Sequence, residues 1–401
     1  MMIIVQITYL LYLLTFDNVA ADFDDGFVFD IDPSLLVDHD KLTIGDMIGE
    51  GSHSIVYKGW YEDHPVAIKV ILPERTRDAT PECKAKFQRE VNLISRIKHK
   101  NIVKFIGASV EPSMVIITEL LEGGSLQKNL NSIYPMTLDL EQSLSFALDI
   151  SQAMECLHAN GIIHRDLKPS NLLLTKDKKL VKLADFGIAR EDICDEMTCE
   201  AGSYRYMAPE LFSKDPLPKG VKKFYDRKAD VYSFAIVLWS LIKNQIPFKE
   251  RENLMAAYDT ANNKRPSLDE FPQHLLPLVQ SCWAEDPKQR PEFTEITETL
   301  TMFLQHCYST RTTLASITEI EEIDSNSEES CPKIRAKGPK SVKNISIHDH
   351  GTIIKPKDRI KCEFESLRGE QNPYSDTAES KPKKKSKLKS LLKCFRCSFG
   401  I

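Results

Sequence analysis

The hydrophobic pattern of the chain changes at Gly123-Gly124, and this change limits the possible folds more than any other feature. Before it, apolar residues fall in short strand-like runs, and the first three of these, rich in β-branched side chains and broken by Gly, Asp and His-Pro, are typical of an antiparallel meander. These runs are 42–48, 55–60, 66–71, 103–109 and 114–121. After it, longer segments show the apolar spacing of helices. The sequence therefore predicts a small, sheet-rich part followed by a larger, helical part.

Three segments carry the helical pattern. Thr80-Pro81 offers a capping hydroxyl followed by proline at the first helical position, so one helix should begin there, between the third and fourth strand runs. A second helix should span 140–157 and stop at Asn160-Gly161. The run 231–242 is almost entirely apolar, which predicts a third helix buried inside the larger part.

A glycine-rich turn precedes a lysine on a neighbouring strand. The turn is 49–54, with glycine at positions 49 and 51. Glycines let the backbone approach phosphate groups closely, although this segment alone is better explained as a hairpin turn. Lys69 ends the run Val66-Ala67-Ile68-Lys69, and Glu90 on the predicted helix can reach it as an ion-pair partner. The alternative is a surface lysine on an edge strand, but the apolar residues beside Lys69 favour a buried strand.

Two polar loops carry groups that could hold a metal ion and a reacting hydroxyl. In the loop 164–171, Asp166 could accept or orient a hydroxyl, Asn171 could ligate a metal, and Lys168 could bind a terminal phosphate. Asp185, just after a predicted strand, supplies a second carboxylate. Two oxygen ligands from different loops suit Mg²⁺, which takes few protein ligands beside phosphate and water oxygens. Either loop alone could also be an ordinary polar turn.

In their order and spacing, these motifs resemble those of eukaryotic protein kinases. The resemblance covers about residues 42–305. Its five motifs are the glycine-rich turn, 66–69, 164–171, 185–187 and Ala208-Pro209-Glu210. It implies an α+β, bilobal protein kinase fold, with a small antiparallel β-sheet lobe containing one key helix (42–122) and a larger, mainly α-helical lobe (123–305). ATP should then lie in the cleft between the lobes.

The resemblance also implies which residues act. The implied catalytic residues are Lys69, Glu90, Asp166, Lys168 and Asn171. The implied Mg²⁺ ligands are Asn171 and Asp185. The implied ATP-binding residues are Ile48, Gly49, Glu50, Gly51, Val56, Ala67, Lys69, Thr118, Glu119, Leu121 and Leu173.

Within the ATP-binding set, Thr118 falls at the gatekeeper position, and Glu119 and Leu121 offer hinge backbone to the adenine. The apolar residues that would sandwich the adenine are Val56, Ala67 and Leu173. Two further residues match structural positions of the family: Asp230, which would anchor the catalytic-loop backbone, and Arg290, the partner of Glu210. The chain departs from the family at Ser54, which replaces the third glycine of the loop. This change should stiffen the turn and could alter nucleotide affinity.

The implied activity is transfer of the γ-phosphate of ATP to serine or threonine hydroxyls of protein substrates, in intracellular signalling. Lys168, two residues after Asp166, resembles the serine/threonine type, and Ser203 should bond both of these residues. The segments 118–126 and 197–210 and the Cys282-Trp283…Arg290-Pro291 pattern resemble the tyrosine-kinase-like group, near the Raf-like kinases of plants. Dual specificity stays open. So does a non-catalytic kinase-fold scaffold, which would not explain the complete catalytic set.

The resemblance implies one regulatory contact. Arg165 directly precedes Asp166, and in similar kinases this arginine contacts a phosphate on the activation loop, here 185–210. Thr198 is the preferred phosphorylation site in that loop.

The two ends of the chain differ from the middle. Residues 1–41 are first apolar and then acidic, and are expected to form a leader. Their first 16 residues are short for a membrane span and lack the positive start of a secretory signal. A signal or anchor, a mispredicted start and a segment that packs on the domain remain open. Residues 306–380, rich in Ser, Glu, Lys and Pro, are expected to be a disordered linker or tail.

Residues 381–401 carry eight Lys or Arg and no acid, and their apolar residues follow helical spacing. This basic amphipathic pattern suits an anionic membrane surface or calmodulin, and Cys394 and Cys397 could be palmitoylated. A nuclear-localisation run or a solvated tail is an equally good interpretation. The net charge of −5 does not favour nucleic-acid binding, and the scattered cysteines favour a reducing compartment. The expected location is the cytoplasm, with possible association with the plasma membrane.

Overall fold

A computed structural model describes residues 27–51, 53–72, 80–187, 189–191, 203–212 and 226–307. The predictions for residues 1–26, for Thr198 and for 308–401 lie outside these ranges. Within the described ranges, none of the helices combines the length and the apolar character that a membrane crossing requires.

The small lobe is built on one antiparallel sheet of five strands in the order β1-β2-β3-β5-β4. The strands are β1 (Leu42–Glu50), β2 (Ser54–Tyr61), β3 (His64–Ile71), β4 (Phe105–Ser109) and β5 (Val115–Glu119). The meander predicted for the first three runs is confirmed as β1-β2-β3, whereas β4 lies at the edge of the sheet, beyond β5. The fourth strand is shorter than its apolar run because Val103 donates its N–H to the carbonyl of Leu183 in the other lobe, at 2.9 Å. The apolar run 103–109, predicted as one strand, therefore contacts both lobes: Val103 bonds the large lobe, and residues 105–109 form β4 of the small lobe.

The helix of the small lobe, α1 (Pro81–Arg96), begins where the sequence predicted it. Thr80 Oγ1 accepts the N–H of Cys83 at 3.3 Å, and Pro81 occupies the first helical position. The buried face of α1 includes Phe87, Glu90 and Val91. Because Glu90 lies among the apolar residues of this buried face, its side chain points into the interior of the protein at a fixed position along α1.

The described part of the leader, which begins at residue 27, packs against the small lobe. We call residues 27–37 the N-terminal strap. Ile31 of the strap is buried, and the Phe29 ring lies edge-on to Phe87 of α1 at 5.9 Å. The strap then forms a parallel bridge between Leu36 and Ala108. The packing of the small lobe therefore extends ahead of Leu42, where the motifs placed the start of the domain.

The large lobe is mainly helical. Its helices are α2 (Leu126–Ile133), α3 (Leu140–Ala159), α4 (Lys228–Lys243), α5 (Asn253–Ala261), α6 (Leu276–Cys282) and α7 (293–307). Asp139 caps α3 by accepting the N–H of Gln142 at 2.7 Å, and the helix ends at Asn160-Gly161, where Gly161 has a φ of +69°. The predicted stop is confirmed.

Helix α4 forms the centre of the large lobe. Every residue from Ala229 to Leu241 is buried, as the continuous apolar run predicted. Near it, Arg290 and Glu210 form the expected pair, with two hydrogen bonds of 2.6 and 2.8 Å. The Arg290 side chain is completely buried, so this pair fixes the segment after Ala208 to the interior of the large lobe.

Two small sheets bring the polar loops together. They pair β6 (Ile162–Ile163) with β9 (Arg190–Glu191), and β7 (Leu172–Leu174) with β8 (Val181–Leu183). The N–H of Ala184 donates to the carbonyl of Asn171 at 2.9 Å, so the loops that follow β6 and β8 lie side by side.

Candidate active site

Lys69 lies at the centre of an ion triad that joins three separate elements. Its Nζ is 2.6 Å from Glu90 Oε1 and 2.8 Å from Asp185 Oδ1. Lys69 comes from β3, Glu90 from α1, and Asp185 from the turn after β8. Val66 and Ile68 are fully buried on one face of β3, so strand alternation places Lys69 on the other face. The ion pair that the sequence predicted for Lys69 and Glu90 is formed.

The charges of the triad reinforce one another. Burial alone would lower the pKa of Lys69, but the carboxylates of Asp185 and Glu90 outweigh it and hold that pKa above its usual value. The Lys69 ammonium in turn holds the pKa of Asp185 well below its usual range. Burial raises the pKa of Glu90, and the charge of Lys69 opposes this rise. At neutral pH the site therefore contains a fixed cation beside the Asp185 carboxylate.

Gly187 lets the backbone pass close to the triad. Its N–H donates to Asp185 Oδ1 at 3.2 Å. A Cβ at this position would lie 3.2 Å from the same oxygen and 3.5 Å from both Glu90 Oε2 and Lys69 Nζ. Any side chain at position 187 would thus crowd the charged groups.

Asp166 is buried and accepts hydrogen bonds from three side chains. Ser203 Oγ donates to its Oδ1 at 2.6 Å, and Asn171 Nδ2 donates to its Oδ2 at 2.8 Å. Lys168 Nζ lies 2.7 Å from the same Oδ2 and donates to Ser203 Oγ at 2.9 Å. The predicted contacts of Ser203 with Asp166 and Lys168 are confirmed. The structure therefore brings Lys168, Asn171 and Ser203 together around the Asp166 carboxylate.

Asp230 fixes the backbone that leads into Asp166. It is completely buried, and its carboxylate accepts the N–H groups of His164 and Arg165, both at 2.8 Å. His158 Nε2 lies 2.9 Å from Asp230 Oδ2. Arg165 has a φ of +72°, a conformation that is costly for a residue with a side chain. The buried carboxylate stabilises this conformation, as the sequence predicted for Asp230.

Asp185 and Asn171 form a donor set that fits Mg²⁺. Asp185 is an anion, and its side chain is 46% exposed, so it is accessible from the cleft. The amide nitrogen of Asn171 donates to Asp166, which leaves the amide oxygen as an acceptor. Among the described residues, no group of three or more His, Cys, Asp or Glu could hold a metal by itself. Two protein oxygens suit Mg²⁺ when phosphate oxygens complete its shell.

Four residues of the expected nucleotide site lie at the end of β1 and in the glycine-rich turn. Gly49 pairs with Val56 across β1 and β2, and the N–H of Gly51 donates to the carbonyl of Ser54 at 2.8 Å, which closes the glycine-rich turn. Glu50 in this turn is exposed, and Ile48 is 39% exposed.

The other residues expected to bind the nucleotide come from both lobes. Ala67 lies opposite Thr118 in the pairing of β3 with β5. Leu173 on β7 forms a bridge with Ser125 at the start of α2. Leu121, which follows β5, packs against the core of the large lobe. Val56, Ala67 and Leu173 are all only partly buried.

One contact at the hinge was not foreseen. The sequence predicted a role for the backbone of Glu119, but the side chain also forms contacts. Glu119 Oε1 accepts the N–H of Lys104 at 2.7 Å and lies 2.6 Å from Lys182 Nζ. Lys182 is on β8 of the large lobe, so this ion pair crosses between the lobes. The only signal in the sequence is that Lys182 stands between the apolar residues Val181 and Leu183.

The regulatory residues are only partly described. Arg165 is buried, and its backbone is held by Asp230. Thr198 lies outside the described residues, so a phosphate contact between the two stays a prediction.

The known proteins that this chain resembles all belong to one family. The family model for protein tyrosine and serine/threonine kinases matches residues 42–300. Serine/threonine/tyrosine-protein kinase HT1 of Arabidopsis thaliana is 42% identical over 268 residues, which cover 66% of this chain and 66% of the relative. Serine/threonine-protein kinase STY17 of the same plant is 38% identical over 273 residues, which cover 67% of this chain and 46% of the relative.

A mammalian relative is more distant. Mitogen-activated protein kinase kinase kinase 7 of Bos taurus is 34% identical over 277 residues, which cover 67% of this chain and 45% of the relative. The chain thus spans between 45% and 66% of the length of these three relatives.

Proposed function

The chain belongs to the protein tyrosine and serine/threonine kinase family, and from this premise we propose that it transfers the γ-phosphate of ATP to serine or threonine hydroxyls of protein substrates. The observation that carries the proposal is the assembled triad of Lys69, Glu90 and Asp185. Phosphoryl transfer requires positioned charges rather than covalent chemistry from the protein. A scaffold without turnover would not need these three groups in contact.

Each charged group has a task in this reaction. Lys69, held by Glu90, binds the α- and β-phosphates of ATP. Asp185 and Asn171 hold Mg²⁺, which neutralises phosphate charge when bound. Asp166 orients the acceptor hydroxyl, and Lys168 approaches the γ-phosphate. Because Lys168 Nζ and Asp166 Oδ2 are 2.7 Å apart, the two groups would act at the same point, Asp166 on the hydroxyl and Lys168 on the transferred phosphate.

The adenine would lie between the two lobes. Its upper and lower faces would contact Val56, Ala67 and Leu173, with Thr118 behind it. The hinge backbone at Glu119 and Leu121 would bond its edge, and the glycine-rich turn from Ile48 to Gly51 would cover the phosphates. The partial burial of the three apolar residues supports this placement.

A direct assay tests the proposal. The full chain is incubated with radiolabelled ATP, Mg²⁺ and myelin basic protein, beside an Asp166→Asn variant. We expect label on the substrate and a loss of about a thousandfold in the variant, since general-base groups typically contribute factors of this size. ATP binding of the variant, followed by fluorescence of a nucleotide analogue, should be unchanged. Binding of ATP by wild type without transfer would favour the scaffold instead.

The same assay decides the acceptor type. The bond network of Ser203, Asp166 and Lys168 supports serine and threonine. The printed name of HT1 includes tyrosine, which keeps dual specificity as the second candidate. Hydrolysis of the labelled substrate separates phosphoserine and phosphothreonine from phosphotyrosine. Label confined to phosphotyrosine would contradict the proposed specificity.

Regulation and location are proposed from the sequence alone. Arg165 would bind a phosphate on Thr198, and mass spectrometry of active protein that finds Thr198 unmodified would remove this contact. The protein would be cytoplasmic, with residues 381–401 attaching it to an anionic plasma-membrane surface or to calmodulin. If cell fractionation finds the full chain soluble to the same extent as a chain lacking 381–401, membrane attachment fails.

A further inference from the structure

The N-terminal strap packs on the small lobe in the manner of an extended peptide. Phe27 and Phe29 are partly buried and Ile31 is buried. Val28 and Asp30, which lie between them, are exposed. The alternation is one of burial and not of residue type, because Val28 is itself apolar. It is the arrangement of an extended chain that turns every second side chain toward a surface.

Two amide side chains of α1 bind the backbone of the strap at a single residue. The N–H of Asp30 donates to Gln88 Oε1 at 2.8 Å, and Asn92 Nδ2 donates to the carbonyl of Asp30 at 3.2 Å. Gln88 and Asn92 are one turn apart on the same face of the helix. One turn earlier, Lys84 Nζ lies 5.9 Å from the centre of the Phe27 ring, so the strap follows this face of α1. Because backbone groups are bound, the contact does not depend on the side chain at position 30.

The apolar side chains of the strap enter a groove between α1 and the edge of the sheet. Ile31 belongs to one buried cluster with Phe87 and Val91 of α1 and Ala108 of β4. Phe29 packs against this cluster, edge-on to Phe87 at 5.9 Å. The strand β4 is the last strand of the sheet, so the groove has the helix on one side and an edge strand on the other.

The end of the strap is fitted to β4 through a glycine. The N–H of Val37 donates to the carbonyl of Ala108 at 2.9 Å, and Leu36 forms a parallel bridge with Ala108. A Cβ at Gly107 would collide with the Val37 side chain, so glycine is needed for this close approach. The groove therefore binds the backbone near both ends of the strap and apolar side chains between them.

The strap is held by few buried groups. Among residues 27–37, Ile31 alone is buried. The connection to β1 is one 3₁₀ turn, His39–Lys41, in which Asp40 and Lys41 are exposed. Backbone bonds with apolar side chains at alternate positions are the means by which proteins bind extended peptides. The strap has the contacts of such a peptide, and only one buried side chain leaves the core when it detaches.

We propose that the groove between α1 and β4 is a binding site for an extended peptide that carries an aromatic and a branched aliphatic residue two positions apart. The strap occupies this site as an exchangeable ligand, and a segment of the same chemistry on a partner protein replaces it. Occupancy of the groove would act on the Lys69–Glu90 pair, because α1 carries Glu90. Only this last consequence rests on the proposed kinase function.

Binding of a fluorescent peptide of residues 27–37 to the full chain tests the site. In wild type the attached strap competes at an effective concentration in about the millimolar range. The protein used is therefore the full chain with Phe29→Ala and Ile31→Ala, which we call the strap variant, because its groove residues are unchanged. A second peptide carries the same two substitutions. A third carries Val28→Ala as the matched control, since Val28 is 85% exposed.

Fluorescence anisotropy gives the affinity of each peptide for the strap variant. We expect the unsubstituted peptide and the Val28→Ala peptide to bind equally well. The peptide with Phe29→Ala and Ile31→Ala should bind about a hundredfold more weakly, because it loses both apolar contacts. The wild-type chain should bind the unsubstituted peptide about tenfold more weakly than the strap variant does, since its own strap fills the groove.

Substitutions in the groove test the backbone contacts. Gln88→Ala or Asn92→Ala, added to the strap variant, should each weaken binding several-fold. Lys86→Ala is the matched control, because Lys86 is exposed and lies on the opposite side of α1 from Gln88. If the strap variant does not fold, the full chain with Phe29→Ala alone carries the same comparisons, since Phe29 is only partly buried.

Three results would overturn the inference. The first is no binding, or equal binding of the three peptides. The second is an affinity that neither Gln88→Ala nor Asn92→Ala changes. The third is a wild-type dimer in sedimentation that the strap substitutions dissociate, because the occupant would then be the strap of a second copy. None of these measurements requires phosphate transfer, so failure of the proposed kinase function would leave them unaffected.

Discussion

Asp230 and Glu90 are both buried acids that position charged neighbours, but they are held in different ways. Asp230 lies on α4, the most buried helix of the large lobe, and its bonds to the backbone of His164 and Arg165 stay within that lobe. Glu90 lies on α1, and its partner Lys69 comes from the sheet, with Asp185 from the opposite lobe. The first arrangement is part of the core, whereas the second depends on how α1 is placed.

This difference indicates that Asp230 contributes mainly to the stability of the fold, whereas Glu90 contributes mainly to activity. Removing one partner from a buried, hydrogen-bonded carboxylate leaves donors unsatisfied, which costs stability. At the triad, Lys69 retains Asp185 when Glu90 is changed, so no buried cation is left alone. Changes at Asp230 should therefore unfold the protein, and changes at Glu90 should mainly reduce turnover.

The largest effect is expected at Asp230. Asp230→Asn places an amide N–H₂ beside backbone N–H groups that need an acceptor. We expect a loss of about 3–5 kcal/mol in the free energy of unfolding, measured by urea denaturation. Activity should fall by about a hundredfold or more, because the catalytic loop is misplaced.

The control for Asp230 lies just ahead of the same helix. Asp226→Asn changes an exposed carboxylate that accepts only the N–H of Lys228, at 2.8 Å, and should be nearly neutral. If Asp230→Asn were as stable as wild type, Asp230 would not be the anchor that distinguishes the two regions.

A smaller effect, on activity alone, is expected at Glu90. Glu90→Gln keeps the length of the side chain but replaces a charge-assisted bond to Lys69 with a neutral one. The kcat/KM should fall about tenfold. Stability should change little, because burial already raises the pKa of Glu90 and thus disfavours its charged form.

For Glu90→Gln, Glu82→Gln on the exposed first turn of α1 serves as the control. If Glu90→Gln lost stability in proportion to its loss of activity, Glu90 would not differ from Asp230 in contributing mainly to activity.

The sequence was sufficient for the groups whose chemistry restricts the residue type. Lys69, Asp166 and Asp185 could be singled out because the tasks proposed for them, which are phosphate binding, hydroxyl contact and metal ligation, each need a particular side chain at a fixed spacing. The strand and helix order followed from apolar periodicity. The pairing of Ser203 with Asp166 was also foreseen, since the motif around Ser203 resembles that of the serine/threonine group.

Other contacts leave no such trace in the sequence. Arg205 bonds three backbone carbonyls, which every residue possesses, so no residue type marks its partners. The strap has no period, and its contact between Phe29 and Phe87 joins residues 58 positions apart. The Lys182–Glu119 pair requires the relative position of the two lobes, which apolar spacing does not encode.

The smallest effect on activity is expected at the strap, and it tests how α1 is held in place. Ile31 packs in the same apolar cluster as Phe87 and Val91 on α1, and the carbonyl of Asp30 accepts a hydrogen bond from Asn92 at 3.2 Å. The strap therefore restrains the helix that carries Glu90. Ile31→Ala should lower stability by about 2 kcal/mol and reduce activity only a few-fold at a temperature where the variant is folded.

Hydrogen exchange distinguishes a restraint on α1 from a general loss of stability after Ile31→Ala. Amides in 81–96 should exchange faster in the variant, while those of α4 should change no more than global unfolding requires. Val28→Ala is the matched control, because Val28 belongs to the same strap but is 85% exposed. If α1 and α4 lose protection equally, the strap stabilises the whole domain. The placement of Glu90 would then be as much a property of the core as that of Asp230.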